Sequence, residues 1–191
     1  MASEPERVIL TYDDLVDLPN DRNRHELFDG EFQVTAAPNT SHQTAVFNLG
    51  LILGNHVRRH RLGRMFAAPC DVLLSETTVV EPDLLFVSNA RQAIVQPGYV
   101  RGVSDLVIEV LSPSTAQVDR GIKRQIYARF GVPSYWRLDP NRQEFLAETL
   151  EGGVYRRATI GRESQVVTAP PFLDLEIDLA EVWTWGEPAA G

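Results

Sequence analysis

The run Leu106-Val107-Ile108-Glu109-Val110-Leu111 constrains this chain more than any other segment. A strand with one wet face alternates apolar and polar residues. This run is apolar at both parities, which is how a central strand covered from both sides reads. The fold must therefore supply a layer of structure on each face of that strand. Glu109 alone breaks the pattern. A carboxylate in such a place is costly unless it is hydrogen-bonded, paired with a cation or bound to a metal.

The rest of the chain supplies the layers. His42 to about Arg61 carries Val46, Leu49, Leu53 and Val57 at spacings of three and four, which predicts an amphipathic helix capped by Ser41 and closed by Gly63. Three strand candidates follow, Met65 to Leu74, Val79 to Val87 and Val103 to Leu111. A second helix is expected from near Asp119 to Phe130, stopped by Gly131 and Pro133, and then a strand from Ser134 to Leu138. The order is helix, three strands, helix, strand, a mixed α/β (α+β) core over about 42–139. Upstream, Thr11 caps a short helix to Leu18 that Pro19 stops, and Asp29-Gly30 is the tight turn of a hairpin. Downstream, Glu144 to Leu150 and Tyr155 to Ile160 pair across Gly152-Gly153, and Phe172 to Trp183 docks the end. With no repeat and no visible boundary, residues 1–191 read as one domain with a frayed tail at 186–191.

Composition limits function. A net charge of −8 and a pI near 5.0 argue against a broad basic surface that coats nucleic acid or acidic membrane, though not against an enzyme that meets a phosphodiester locally. Cys70 is the only cysteine, so no internal disulfide forms, and the first residues, MASEPERVILTYDD, lack the pattern of a secretory leader. A cytoplasmic address is the expectation. The most apolar helical stretch, Ala45 to Leu53, is about half the roughly 20 residues a membrane span needs and contains Asn48.

The candidate chemistry starts from two carboxylates. Asp83 lies in the neighbouring strand candidate VVEPDLLFV. If both side chains point to one face, Asp83 and Glu109 can hold a divalent cation completed by water and phosphate oxygens, the usual manner for Mg2+ (or Mn2+). Such a site wants a compact cation beside the phosphate. Of eighteen Lys and Arg residues, Lys123 is the only lysine, one turn after Asp119 on the helix that follows the Glu109 strand. It is expected over the sheet edge where the carboxylates emerge. The plain alternative is a solvated charge or an i,i+4 partner of Asp119.

The stretches EPDLLFV, DLVIEVLSPST and DRGIKRQIYARFGVPSYWRLDP, with HELFDGEF and FLDLEIDLAEVW, resemble the Uma-two (Uma2) family of restriction-endonuclease-like proteins, within the PD-(D/E)xK nuclease superfamily. The resemblance covers nearly the whole chain. It implies a restriction-endonuclease-like core, Asp83 and Glu109 as metal ligands and Lys123 as catalytic lysine, in a Mg2+-dependent endonuclease. It also implies nucleic acid as partner, with DNA expected ahead of RNA; a homodimer is a reasonable expectation, since duplex-cutting nucleases generally need two sites. One departure is that the superfamily's lysine position, two residues after the second acid, is Leu111 here, so Lys123 must supply the amine from the helix.

Five other features take weaker readings. Glu26 stands near the hairpin turn as a further carboxylate of the site or a solvated residue. His42 opens the first long helix, either touching phosphate or lying on the surface. Arg58, Arg59 and Arg61 form the one basic concentration, either following a nucleic-acid backbone or complementing the helix dipole. Tyr127, Tyr135 and Trp136 read as core, and Asp119 as a helix cap. The competing functions are a non-catalytic binding or scaffold protein on the same fold, and a sugar or nucleotide enzyme.

Overall fold

The structure is a computed structural model that describes residues 8–18, 23–35, 39–112 and 119–184. After helix α1 (Tyr12–Val16) come the strands β1 (Arg24–Phe28) and β2 (Glu31–Thr35), the long helix α2 (Thr40–His60), and β3 (Gly63–Ala67), β4 (Asp71–Ser75), β5 (Thr78–Val80) and β6 (Leu84–Ser88). A 3₁₀ segment, Asn89–Ile94, leads to β7 (Val95–Gln96), β8 (Tyr99–Arg101) and β9 (Leu106–Val110). One π-type turn, Asp119–Lys123, opens α3 (Arg124–Phe130), which is followed by β10 (Ser134–Asp139), β11 (Glu144–Glu151), β12 (Val154–Arg162), β13 (Val166–Ala169), β14 (Phe172–Asp178) and α4 (Leu179–Trp183).

The strands form two six-stranded sheets and a ribbon. The main sheet runs β12-β11-β10-β9-β6-β3, and its only parallel pair, β9 with β10, is joined through α3. The second sheet runs β2-β1-β5-β4-β8-β7, and β13-β14 form the ribbon. β9 is buried at all five residues. Leu106, Ile108 and Val110 pack toward Leu49, Leu53 and Val57 of α2, while Val107 joins Ile126, Tyr127 and Tyr135 on the α3 side, together with residues of the second sheet. The two covering layers demanded by the apolar run are both present, and Glu109, at the parity of Val107, lies on the α3 side.

The helix, three-strand, helix, strand order is present in the main sheet as α2, β3, β6, β9, α3, β10, but two predicted strands do not run through. Met65 to Leu74 breaks into β3 and β4, and Val79 to Val87 into β5 and β6, with the halves in different sheets. Pro69 and Pro82 fall at the breaks, where each denies the ladder a donor. Asp83 consequently sits not within a strand but in the corner where the chain passes from one sheet to the other. Helix boundaries also shift. Asn39, not Ser41, caps α2, its side chain accepting the His42 N–H at 2.9 Å, and Arg61, not Gly63, ends it in the left-handed conformation. The Asp29-Gly30 turn has positive φ at both residues (54° and 81°), the geometry that a two-residue hairpin requires. The side chains of Asp119 and Trp185, Pro19 and the tail 186–191 lie outside the described residues. Among those described, no helix is long and apolar enough to cross a membrane.

Candidate active site

The second sheet and α3 meet the main sheet around Glu109, and five chain segments deliver charged side chains there. On β1, the two-residue period places Arg24 and Glu26 on one face. The β5–β6 corner supplies Glu81 and Asp83, β9 supplies Glu109, the first turn of α2 supplies His42, and the start of α3 supplies Lys123 with Tyr127 one turn on. Glu26, Asp83 and Glu109 are each 1% exposed and Lys123 2%.

Lys123 Nζ lies 2.8 Å from Glu26 Oε1 and 3.0 Å from Glu109 Oε1. The Tyr127 hydroxyl donates to the same Glu109 oxygen at 2.6 Å, and Glu26 Oε1 also accepts the Glu81 N–H at 2.8 Å. Asp83 is held on both oxygens. Oδ1 accepts from an Arg24 terminal nitrogen at 2.6 Å, and Oδ2 accepts from the Val110 N–H at 2.7 Å and from His42 Nε2 at 3.1 Å. An ionised carboxylate only accepts, so Nε2 carries the proton of that last bond, and among the described residues His42 Nδ1 has no hydrogen-bond partner. Arg24 also reaches Glu81 at 3.0 Å and stands 3.9 Å from Glu109 Oε2.

The electrostatics follow from burial and pairing. Burial alone would push the Asp83 carboxyl up, but the His42 hydrogen bond and the Arg24 guanidinium outweigh it and hold it at about 2. Burial would likewise pull Arg24 down, and Asp83 with Glu109 raise it instead. Burial, with Glu109 adding to it, pushes the Tyr127 hydroxyl well up, so it serves as a donor. Glu81 is raised by burial against the pull of Arg24. Four carboxylates face one guanidinium and one ammonium, so among these six side chains negative charge is in excess.

That excess bears on a metal. Among the described residues no group of three or more His, Cys, Asp or Glu side chains is placed to hold a metal ion. Mg2+ does not need such a group, since it commonly takes one or two carboxylates and keeps its waters. Asp83 Oδ1 and Glu109 Oε2 face the same guanidinium, so an oxygen-only donor pair already surrounds a positive group. The residues fit a hard divalent cation in the place that the Arg24 charge now holds.

The structure thus brings Glu26, His42, Asp83, Glu109 and Lys123 into one cluster. His42 is buried against Asp83 rather than lying on the surface. Leu111, at the superfamily's lysine position, is a buried apolar residue whose N–H donates to Leu138 O. Arg58, Arg59 and Arg61 do not join the cluster. They are exposed at the far end of α2, about 24 Å along its axis from His42 at 1.5 Å per residue, where Arg58 and Arg59 meet the helix's carbonyl end. Tyr135 and Trp136 are fully buried core, and Gln125 is exposed. Sequence reasoning missed Arg24, Glu81 and the role of Tyr127. Their signals were Arg24 two residues before Glu26, Glu81 two before Asp83, and Tyr127 four after Lys123.

A family model described as "Uma2: Putative restriction endonuclease" matches residues 12–180. The crystal structure of "a putative nuclease belonging to DUF820" from Anabaena variabilis ATCC 29413 aligns with a TM-score of 0.73 at 19% identity. The alignment covers 91% of this chain and 97% of that one, a likeness of fold. No functionally curated protein matches the sequence.

Proposed function

The chain belongs to the Uma2 family, and from that premise we propose that it is a divalent-metal-dependent endonuclease that hydrolyses nucleic-acid phosphodiester bonds. The observation that carries the proposal is the Lys123 ammonium held between Glu26 and Glu109 at 2.8 and 3.0 Å, next to the carboxylate that shares Arg24 with Asp83. Asp83 and Glu109 would hold Mg2+ or Mn2+. A cation bound there lowers the pKa of water and neutralises charge on a phosphoryl oxygen.

The chain's own groups do the rest. His42 and the Val110 N–H orient Asp83, and Tyr127 orients Glu109. Lys123 offers a preorganised positive charge to the phosphate in the transition state, and Glu26 fixes its direction. A compact ammonium suits a buried slot between two carboxylates better than a guanidinium fork does. Nucleic acid, with DNA ahead of RNA, is the substrate, and a homodimer would present two sites to a duplex. Arg58, Arg59 and Arg61 would contact the backbone away from the cut.

The test is cleavage of single- and double-stranded DNA and RNA by wild type, Asp83→Asn and Lys123→Ala, with Mg2+, with Mn2+ and with chelator. Metal-dependent cutting by wild type, lost in both variants that circular dichroism finds folded, is the expected result. Equal cutting by all three would refute the assignment. Two observations favour a second reading, a non-catalytic relative: Arg24 already pairs with Asp83 at 2.6 Å and stands 3.9 Å from Glu109, and the usual lysine position is Leu111. Absence of both cutting and metal binding would select it.

A further inference from the structure

We propose that Arg24 is the built-in counterion of the Asp83/Glu109 pair and that it competes with a divalent cation for these carboxylates, so that metal entry frees its guanidinium for substrate phosphate. The proposal rests on the metal reading above and adds to it a regulated exchange.

One guanidinium touches Asp83 Oδ1 at 2.6 Å and Glu81 Oε1 at 3.0 Å and stands 3.9 Å from Glu109 Oε2. A dication held by those Asp83 and Glu109 oxygens would have to approach them within bonding distance. It would meet the guanidinium in the same space with the same sign of charge. The two states exclude each other.

Lys123 is not the competitor. It engages the other Glu109 oxygen, Oε1, and is 2% exposed, whereas the Arg24 side chain is 15% exposed and stands on the solvent side. A cation arriving from water meets Arg24 first.

Arg24 also has somewhere to go. Glu81, itself 14% exposed, holds Nε, so the planar guanidinium can pivot as a unit about that contact and carry its terminal nitrogens away from Asp83. A guanidinium fork bonds phosphate with two parallel N–H groups, which an ammonium cannot do. The backbone under Arg24 pairs with Thr35 of β2, while β1 meets β5 at Leu27 and Val79, three residues away. Arg24 therefore lies past the end of the β1–β5 ladder, where movement disturbs little of the sheet. Without metal, the guanidinium keeps two buried carboxylates from facing each other unpaired. With metal, the same group becomes a phosphate ligand.

The experiment is calorimetric titration of MnCl2 alone into wild type, Arg24→Gln and Arg24→Lys at fixed ionic strength, with thermal unfolding with and without Mn2+. Arg24→Gln is expected to bind Mn2+ tighter than wild type by on the order of tenfold or more, because no cation has to leave. Arg24→Lys, which keeps the charge, should stay nearer wild type. Metal-free Arg24→Gln should melt below wild type and gain more from Mn2+. A second measurement needs no folded glutamine variant. In wild type, the terminal guanidinium N–H resonances of Arg24, assigned by their absence in Arg24→Lys, should shift on titration with Mg2+ as they leave Asp83. Equal or weaker Mn2+ binding by Arg24→Gln, or an unmoved Arg24 resonance under saturating Mg2+, overturns the competition while leaving the metal site standing. Absence of binding in all three proteins overturns the metal reading and the competition together.

Discussion

Replacing Lys123 with methionine removes the ammonium and keeps the stem, and the geometry sets how much this should cost. At an effective dielectric near 20, charges 2.8 and 3.0 Å apart attract by about 6 kcal/mol each. Stripping water from a lysine and ordering its side chain offsets most of that. The carboxylates left behind keep some support, Glu26 from the Glu81 N–H and Glu109 from Tyr127. The net loss should therefore fall at the low end for a broken buried pair, about 3 kcal/mol. In a chain of this size that lowers the melting temperature by about 6–12 °C. Differential scanning calorimetry at neutral pH reads it directly, and Lys123→Met/Glu26→Gln, which removes one stranded charge, should recover at least about 1 kcal/mol. A shift under about 2 °C would mean that the ammonium is solvated, and the account of the site would fail. If the loss is found, catalytic deficits of Lys123 variants must be read well below their midpoints.

Asp83 makes a pH-dependent contribution. Its carboxyl is held at about 2 against an ordinary value of 3.8, so the stability it contributes is fully present above about pH 4 and is lost as pH falls toward 2. The stability gap between wild type and Asp83→Asn in urea unfolding should narrow by about 2 kcal/mol over that window, and a pH-independent gap would contradict the pairing with Arg24 and His42. Tyr127→Phe deletes a 2.6 Å hydrogen bond to a buried carboxylate and should cost about 1–3 kcal/mol by urea midpoint, while an unchanged midpoint would show Glu109 to be satisfied elsewhere. Gly63→Ala places a methyl against the Val87 carbonyl and Ser88 Cα at the edge of the main sheet. It should cost about 2 kcal/mol or more, and wild-type stability would disprove that close approach.

How legible the site was depended on the kind of signal. Glu109 stood out because one charge interrupts an apolar run, and Lys123 because the chain holds no other lysine. Arg24 is one of seventeen arginines and carries no such mark. His42 was readable as a residue of a helix's first turn, but its burial depends on how α2 lies across the β5–β6 corner, which no local pattern encodes. The strand breaks near Pro69 and Pro82 were visible as prolines within apolar runs, yet hydrophobicity continued through both, because each half-strand enters a buried sheet.

The sequence by itself determined the succession of helix, strands, helix and strand along the chain, the two-sided burial of β9 and the need of Glu109 for a partner, because periodicity and the cost of a buried charge act locally. Only the tertiary structure decided which partners meet. Arg24, Glu26, Glu81, Asp83, Glu109 and Lys123 span a hundred residues of chain, and their charges interact over a few ångströms. They become one site only where two sheets and a helix converge and exclude the water that would otherwise screen each charge from the next.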